Sequence, residues 1–306
     1  ERQTTAWSIC ILLLAMIFPW YATDQTWLMA SFYLIGLIVG LTDVAMNAEV
    51  AEIERQKSKV IMSSCHGFFS IGGMIGAILS SIFIVGSVSL SYQMMIIAFV
   101  LIAVLLPLFK HMINAPVHEA KGSGHFEFPT SKVLAFAVIG FCVMMSEGGI
   151  TDWATIFIKE NLKVAGEYAG AGFAGFSLLM AIARFQGDSL HIRFGAKRLV
   201  IIGALIAVIG LFLVLLQTPL WAIIGFSLAG LGYSVIVPIL FSAAAKQEGV
   251  KPSKGIATVA SSGYIGMLAG PVLIGFIADS YGLVNGFTFL LGLTVLALLL
   301  SFRALR

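Results

Sequence analysis

The sequence of 306 residues has little charge: Asp, Glu, Lys and Arg make up only 11% of it, against about 25% in ordinary soluble proteins. Apolar residues of the AVILMFWYC group make up 59%, and the mean hydropathy is +1.00. A chain this apolar is neither a soluble globular domain nor a disordered segment. The net charge of +3 is small and spread along the chain, so we expect no nucleic acid among the partners.

Cysteine and histidine are also scarce. The three cysteines, Cys10, Cys65 and Cys142, lie far apart inside apolar runs, so they form neither a disulfide framework nor a metal-ligand pattern. The five histidines are scattered, and no His-Glu-x-x-His segment occurs. We therefore expect no metal site, no cofactor and no enzymatic activity.

Long apolar runs dominate the chain. A helix that crosses the apolar core of a bilayer needs about 20 residues, and ten runs of that order lie between polar breaks. They cover residues 7–22, 27–50, 60–85, 91–109, 132–153, 166–186, 198–216, 219–243, 254–278 and 283–302. The sequence thus predicts an all-α polytopic membrane protein with ten transmembrane helices.

A polar stretch at 111–131, containing Pro116 and Pro129, is the longest gap between apolar runs. It predicts a linker between an N-terminal half at 1–110, with four spans, and a C-terminal half at 132–306, with six. Fifteen of the 18 Lys and Arg residues would face one side of the membrane, near 55–59, 110–132, 193–198 and 246–254 and at both ends. Because positive loops stay in the cytoplasm, we expect both ends and the linker there.

The two halves share a weak repeat. Gly72 and Gly76 in the third span have the spacing of Gly266 and Gly270 in the ninth, and Gly40 in the second span matches Gly230 in the eighth. This offset of six spans indicates two six-helix halves. We therefore expect two further helices before Glu1.

Two six-helix halves joined by a cytoplasmic linker resemble the plan of the major facilitator superfamily. One loop is similar to its signature G-x-x-L-x-D-R-x-G-R-R, with Ile where the signature has Asp: Gly187-Asp188-Ser189-Leu190-His191-Ile192-Arg193-Phe194-Gly195-Ala196-Lys197-Arg198. The segment Thr42-Asp43-Val44-Ala45-Met46-Asn47 is similar to part of the fourth helix of fucose-permease-like proton symporters. The resemblance covers the whole chain and implies a monomer with family helices three to twelve, ten of the usual twelve. Since the family's first helix lines its cavity, we expect these 306 residues alone not to transport.

Two acidic residues lie deep within apolar spans. A charge near the bilayer centre costs about 2.5–3.5 kcal/mol, so a carboxyl there needs a water-filled route, a partner or a proton. Asp43 and Glu147 lie near the middle of the second and fifth spans, which the resemblance assigns to cavity-lining helices. We expect them to carry protons in coupled transport; the alternative is that they are hydrogen-bonded residues that pack helices.

Other polar residues complete the expected site. Asn47, His66 and Tyr233 would bind a polar solute, or instead form hydrogen bonds between helices. A gate of ion pairs at the cytoplasmic end of the sixth span would be formed by Arg184, Gly187, Asp188, Arg193, Gly195, Lys197 and Arg198. The alternative for this group is that it anchors the helix end at the lipid headgroups.

Together with the resemblance, these residues predict a secondary active transporter of the bacterial inner membrane. It would move a small polar organic solute, with a sugar as the first candidate, together with protons, so its partners would be the solute, protons and the lipid bilayer. The alternatives are a drug or metabolite exporter of the same fold, and a non-transporting sensor or inactive fragment.

Overall fold

A computed structural model describes residues 2–110, 130–164 and 166–304, and the described residues form helices and no β-strand. The α-helices are α1 Arg2–Ala15, α2 Gln25–Lys57, α3 Met62–Val85, α4 Leu90–Phe109, α5 Ser131–Ile156, α6 Gly166–Ala169, α7 Ala171–Phe194, α8 Ala196–Val214, α9 Pro219–Tyr233, α10 Ile236–Ala245, α11 Pro252–Tyr281 and α12 Leu283–Ala304. A 3-10 turn, Phe18–Tyr21, follows α1, and a π-helical turn, Phe157–Asn161, extends α5. The linker predicted at 111–131 lies almost entirely outside the described residues.

All ten predicted spans coincide with helical segments of the described chain. Eight such segments in that part of the chain are long and apolar enough to cross a membrane. The other two, α3 and α7, have 24 residues each, which at about 1.5 Å per residue also reach across a bilayer core. The predicted class, an all-α polytopic membrane bundle, is confirmed.

Several helix boundaries differ from the prediction: α1 ends at Ala15 and not near residue 22, and α7 continues to Phe194 and not only to residue 186. Two further differences have a local reason. Helix α2 continues to Lys57 instead of ending near residue 50, because Glu52 pairs with Arg55 and bonds Gln56 on the same helix face. The eighth predicted span is broken at Ser234 and Val235 into α9 and α10. Pro238 has no N–H to offer the carbonyl of Ser234, and its ring crowds that carbonyl, which favours a break at this point. Pro107 and Pro271, in contrast, lie inside the continuous helices α4 and α11.

The described helices belong to two units. Among the described residues, the first comprises 2–59 and 68–110, and the second comprises 60–67, 130–164 and 166–304. In the first unit α1 packs against α2 and α4. The side chain of Asp24 caps α2 by accepting a hydrogen bond of 2.8 Å from the backbone N–H of Trp27, which fixes the start of the helix that carries Asp43.

In the second unit, α5 packs on α11 and α12, and α9 packs on α7 and α8. The contact between α5 and α11 depends on small residues. A Cβ at Gly266 or Gly270 would press against the backbone of Phe141 or Met145, respectively. Glycine lets the two backbones approach this closely, and α5 is thereby held in the core of the unit, where it presents Glu147.

Candidate functional site

In the first unit, Asp43 and Asn47 form a pair one helical turn apart on α2. The side-chain amide of Asn47 donates to the backbone carbonyl of Asp43 at 2.8 Å and to its carboxylate Oδ1 at 3.0 Å. Asn47 is buried and Asp43 is half-buried. The sequence assigned these residues to proton coupling and solute binding separately, and the structure brings them together.

In the second unit, the carboxylate of Glu147 on α5 pairs with the guanidinium of Arg184 on α7. The distance from Oε1 of Glu147 to the terminal nitrogen of Arg184 is 3.6 Å, and the two side chains are only 18% and 11% exposed. Removing two charges from water costs several kcal/mol each, so each is tolerated here because the other lies beside it. The pairing therefore explains how both charged side chains can lie between apolar helices of this unit.

Tyr233, at the end of α9, lies beside this pair. Its hydroxyl is 2.6 Å from the hydroxyl of Thr294 on α12 and within hydrogen-bonding reach of Ser146, the neighbour of Glu147. Thr294 gives its only hydroxyl proton to the carbonyl of Leu290, so Tyr233 is the donor to Thr294. Tyr233 is 1% exposed, and this hydrogen bond joins two helices.

Asp188 on α7 caps the first turn of α3. Its carboxylate oxygens accept hydrogen bonds of 2.9 Å from the backbone N–H groups of Ser63 and Ser64, and the Ser63 hydroxyl donates to the carbonyl of Arg184 at 2.7 Å. The first N–H groups of a helix have no partner within it and attract negative charge. A carboxylate far along the chain thus satisfies the α3 N-terminus.

The close approach of α3 to α7 depends on two glycines. A Cβ at Gly187 would collide with the Ser63 hydroxyl, and one at Gly67 would lie 2.9 Å from the Phe185 ring. His66, in the same turn of α3, is half-buried, with its ring 5.7 Å from that of Phe241 and near the Arg184 charge. His66, a predicted solute ligand, therefore lies on the same part of α3 that contacts Arg184 and Gly187 of the predicted gate.

The remaining predicted gate residues lie further along the chain, at the turn between α7 and α8. Arg193 stacks over the ring of Phe194, 5.3 Å from its centroid. Gly195 has a φ of +77°, which other residues adopt only with strain. Lys197 and Arg198 lie in the first turn of α8. The seven residues that the sequence grouped together therefore form two groups, one around Asp188 and one around Gly195.

Comparison with known proteins gives the family. A sequence profile described as Major Facilitator Superfamily matches residues 136–306. An uncharacterized MFS-type transporter of Yersinia pestis is 33% identical over 277 residues, which cover 86% of this chain and 69% of that protein. The chain belongs to the Major Facilitator Superfamily. Membrane protein MosC of Rhizobium meliloti, 28% identical, matches 97% of this chain over 72% of its own length.

Solved transporters of the superfamily share the fold. The outward conformation of FucP matches with a TM-score of 0.80 at 15% identity, over 100% of this chain and 84% of that one. The human organic anion transporter MFSD10 matches with a TM-score of 0.78 at 18% identity, over 98% of this chain and 76% of that one. Identities this low show the fold alone, and the fucose-permease-like resemblance is supported at that level. The protein is therefore a multi-pass membrane transporter of this superfamily.

The transporter departs from the family signature at Ile192, whose side chain is 71% exposed. The carboxylate that contacts α3 in this chain is that of Asp188, about one helical turn before Ile192 on α7.

Sequence reasoning missed two features of these sites. The first is Ser63, whose backbone and hydroxyl both bond α7. The second is a series of buried carboxyl groups near the end of α2: Glu49, Glu52 and Glu54 are 5%, 8% and 2% exposed. The spacing of Glu52 to Arg55 and Gln56 is a signal that could have extended the predicted helix over them.

Proposed function

We propose that this membrane transporter moves a small polar organic solute together with protons by alternating access. The observation that carries the proposal is the ion pair of Glu147 and Arg184. These two charges of opposite sign lie among apolar helices, and 3.6 Å separates their charged atoms. Charged groups within a membrane are costly, and in transporters they are typical of substrate and proton pathways.

The pair offers a direct link between a proton and a solute. When the Glu147 carboxylate binds a proton from water, it loses its charge and its attraction for Arg184. The guanidinium of Arg184, which has five N–H donors, then becomes available to oxygen atoms of a solute. Loss of the proton restores the pair and displaces the solute. Glu147 would therefore carry the proton while Arg184 binds the solute.

Asp43 is the second proposed proton carrier. Its carboxylate lies in the first unit and accepts a hydrogen bond from Asn47. An amide is a donor to a charged carboxylate and an acceptor for a protonated one, so Asn47 can serve both protonation states of Asp43 by turning its side chain.

The proposed solute is a sugar or a molecule with similar hydroxyl groups. One solved structure of the same fold is that of the E. coli fucose:proton symporter, with a TM-score of 0.78 and 14% identity. Besides Arg184, the proposed solute ligands are Asn47, His66 and Tyr233.

The group around Asp188 is the proposed gate. Arg184, Gly187 and Asp188 hold the first turn of α3, and opening would require the two hydrogen bonds to the Asp188 carboxylate to break. Arg193, Gly195, Lys197 and Arg198 would hold the adjoining turn between α7 and α8. The stability of these contacts would then set how often the gate opens.

Transport by the full-length protein in liposomes tests the coupling. A pH-sensitive dye inside the liposomes reports proton entry when L-fucose is added outside, followed by sugar acids and nucleosides. We expect one of these solutes to bring protons in, and a potential of 100 mV to raise its accumulation up to about 50-fold per charge moved. Solute uptake without proton movement, unaffected by the gradient, would overturn the proposal.

Three variants assign the coupling to residues. Glu147→Gln and Asp43→Asn should each lower gradient-driven accumulation to about the equilibrium level, while exchange of labelled for unlabelled solute persists. Glu160→Gln, in the exposed ion pair with Lys159, is the matched control and should transport normally. Unchanged accumulation in Glu147→Gln would remove Glu147 from the mechanism.

A second candidate, supported by Arg184, is export of an organic anion. The guanidinium is a cation with little exposure to water, and it fits a carboxylate better than a neutral hydroxyl group. One solved structure with this fold is an organic anion transporter. Stronger uptake of sugar acids than of neutral sugars in inside-out liposomes would favour this candidate. Uptake of drugs or other metabolites in the same liposomes would favour the alternative of a drug or metabolite exporter.

The proposed location is the bacterial inner membrane, with a monomeric protein and with the linker and both chain ends in the cytoplasm. The distribution of Lys and Arg supports this orientation, because the charged turn at 193–198 and the residues Lys246, Lys251 and Lys254 lie at helix ends on the predicted cytoplasmic side. Protease access to these turns in vesicles of known orientation checks it.

A further inference from the structure

The second unit contains a cavity of about 590 Å³ whose rim is basic. It lies where α7, α10 and α12 end and where α5 and α8 begin. Its lining residues, all within the described chain, include no Asp or Glu, and the basic ones are Lys132, His191, Lys197, Arg198 and Lys246. Lys132, Lys197, Arg198 and Lys246 are cations, so the described part of the lining has an excess of positive charge, which attracts anions.

The cavity has an apolar floor and a polar rim. Phe136, Ile239 and Ala304 are buried and line it from below. Ser242 and Gln247 add polar groups, and the Lys246 amine donates to the Ser242 hydroxyl at 3.0 Å. A ligand with one charged oxygen-rich group and an adjacent apolar part would therefore match both regions.

Helix α8 strengthens the attraction for an anion. Its first residues, Ala196, Lys197 and Arg198, line the cavity, and no side chain among the described residues caps its N-terminus. Free N–H groups at a helix N-terminus favour phosphate and similar anions. The same turn therefore supplies both N–H donors and two cations.

We infer that this cavity is a binding site for a phosphate group, supplied either by the headgroup of an anionic phospholipid or by a soluble phosphate compound. The site is separate from the Glu147 and Arg184 pair and does not rest on the proposed transport, because its occupancy can be measured without solute movement. Basic pockets between membrane helices on the cytoplasmic side are suited to anionic headgroups.

Binding to the full-length protein in neutral detergent tests the inference. The probes are dioctanoyl phosphatidylglycerol, dioctanoyl phosphatidylcholine as the zwitterionic reference, and inorganic phosphate. The site variant is Lys132→Gln with Lys246→Gln, and the control with the same charge change is Lys57→Gln with Lys59→Gln, two exposed lysines of the first unit. We expect the wild type and the control to bind phosphatidylglycerol at least about tenfold more tightly than phosphatidylcholine, and the site variant to lose that preference.

Binding measurements with inorganic phosphate distinguish a lipid headgroup from a soluble phosphate compound. Binding of phosphatidylglycerol that phosphate does not displace supports a lipid headgroup, and binding of inorganic phosphate that the site variant loses supports a soluble compound. The inference is wrong if the wild type binds neither phosphatidylglycerol nor phosphate better than phosphatidylcholine, or if the site variant and the control bind equally.

A measurement on the wild type alone tests the inference even if the site variant does not fold. Lysine acetylation followed by mass spectrometry gives the rate at each lysine. Phosphatidylglycerol or phosphate should slow acetylation of Lys132, Lys197 and Lys246 at least about threefold relative to phosphatidylcholine, while Lys57 and Lys59 are unaffected. The inference would be overturned if neither phosphatidylglycerol nor phosphate slowed acetylation of Lys132, Lys197 and Lys246 more than that of Lys57 and Lys59.

Discussion

Glu147 and Arg184 form an ion pair between α5 and α7, with 3.6 Å between their charged atoms. Glu147 and Arg184 lie 37 positions apart in the sequence. The pair depends on the fold, because only packing in the second unit brings the two helices together. Its strength should therefore be visible in the stability of that unit.

A double-mutant cycle measures this pair. Arg184→Met leaves the Glu147 carboxylate without its cation in an apolar setting, and Glu147→Leu leaves the guanidinium without its carboxylate, so each should lower the free energy of unfolding by about 3 kcal/mol. The double variant should recover most of that loss, since no unpaired charge is left. Thermal unfolding of the full-length protein in detergent gives the values, and effects that simply add would contradict the pairing.

The cap on α3 predicts how exposed its first turn becomes. Asp188→Ala removes both acceptors for the N–H groups of Ser63 and Ser64, which should cost about 1–2 kcal/mol. In a background without native cysteines, a cysteine introduced as Ser64→Cys should then react with a maleimide roughly tenfold faster. Asp188→Asn keeps one acceptor oxygen and should lie between the wild type and Asp188→Ala.

Asp152→Ala is the control for the cap, because Asp152 is an exposed carboxylate of α5. It should leave the labelling rate unchanged. If Asp188→Ala labels no faster than Asp152→Ala, the cap does not hold the turn closed, and Asp188 has no role in gating.

The positions of the helices could be predicted from the sequence, because the bilayer requires long apolar runs and the charged residues lie between them. Pro238 is a signal for the break between α9 and α10, but Pro271 lies inside the continuous helix α11, so a proline alone does not predict where a helix of this protein breaks. The end of α2 was harder to predict, because Glu52 and Arg55 neutralise each other within the helix and do not mark a loop.

The contacts of the candidate site were less accessible. Asp43 and Asn47 are four residues apart, and that spacing alone predicts their hydrogen bond on a helix. The contacts of Asp188 with Ser63, and of Tyr233 with Thr294, join residues 125 and 61 positions apart. Such contacts depend on how helices rotate and pack, which the apolar pattern of a membrane helix leaves open, since lipid-facing and core-facing residues are equally apolar.

Tyr233 offers a test that separates solute binding from helix packing. If its hydroxyl acts only by donating to Thr294, then Tyr233→Phe and Thr294→Val should each destabilise the protein by about 0.6–2 kcal/mol, with a coupling of similar size in the double variant. The Michaelis constant for solute should then stay close to that of the wild type in both variants. If the hydroxyl also binds solute, Tyr233→Phe should raise that constant severalfold more than Thr294→Val, because only the former removes the hydroxyl oxygen that can accept a hydrogen bond from the solute. Stability from thermal unfolding and initial uptake rates in liposomes, measured on the same three variants, decide between these outcomes, and a coupling near zero would contradict the hydrogen bond itself.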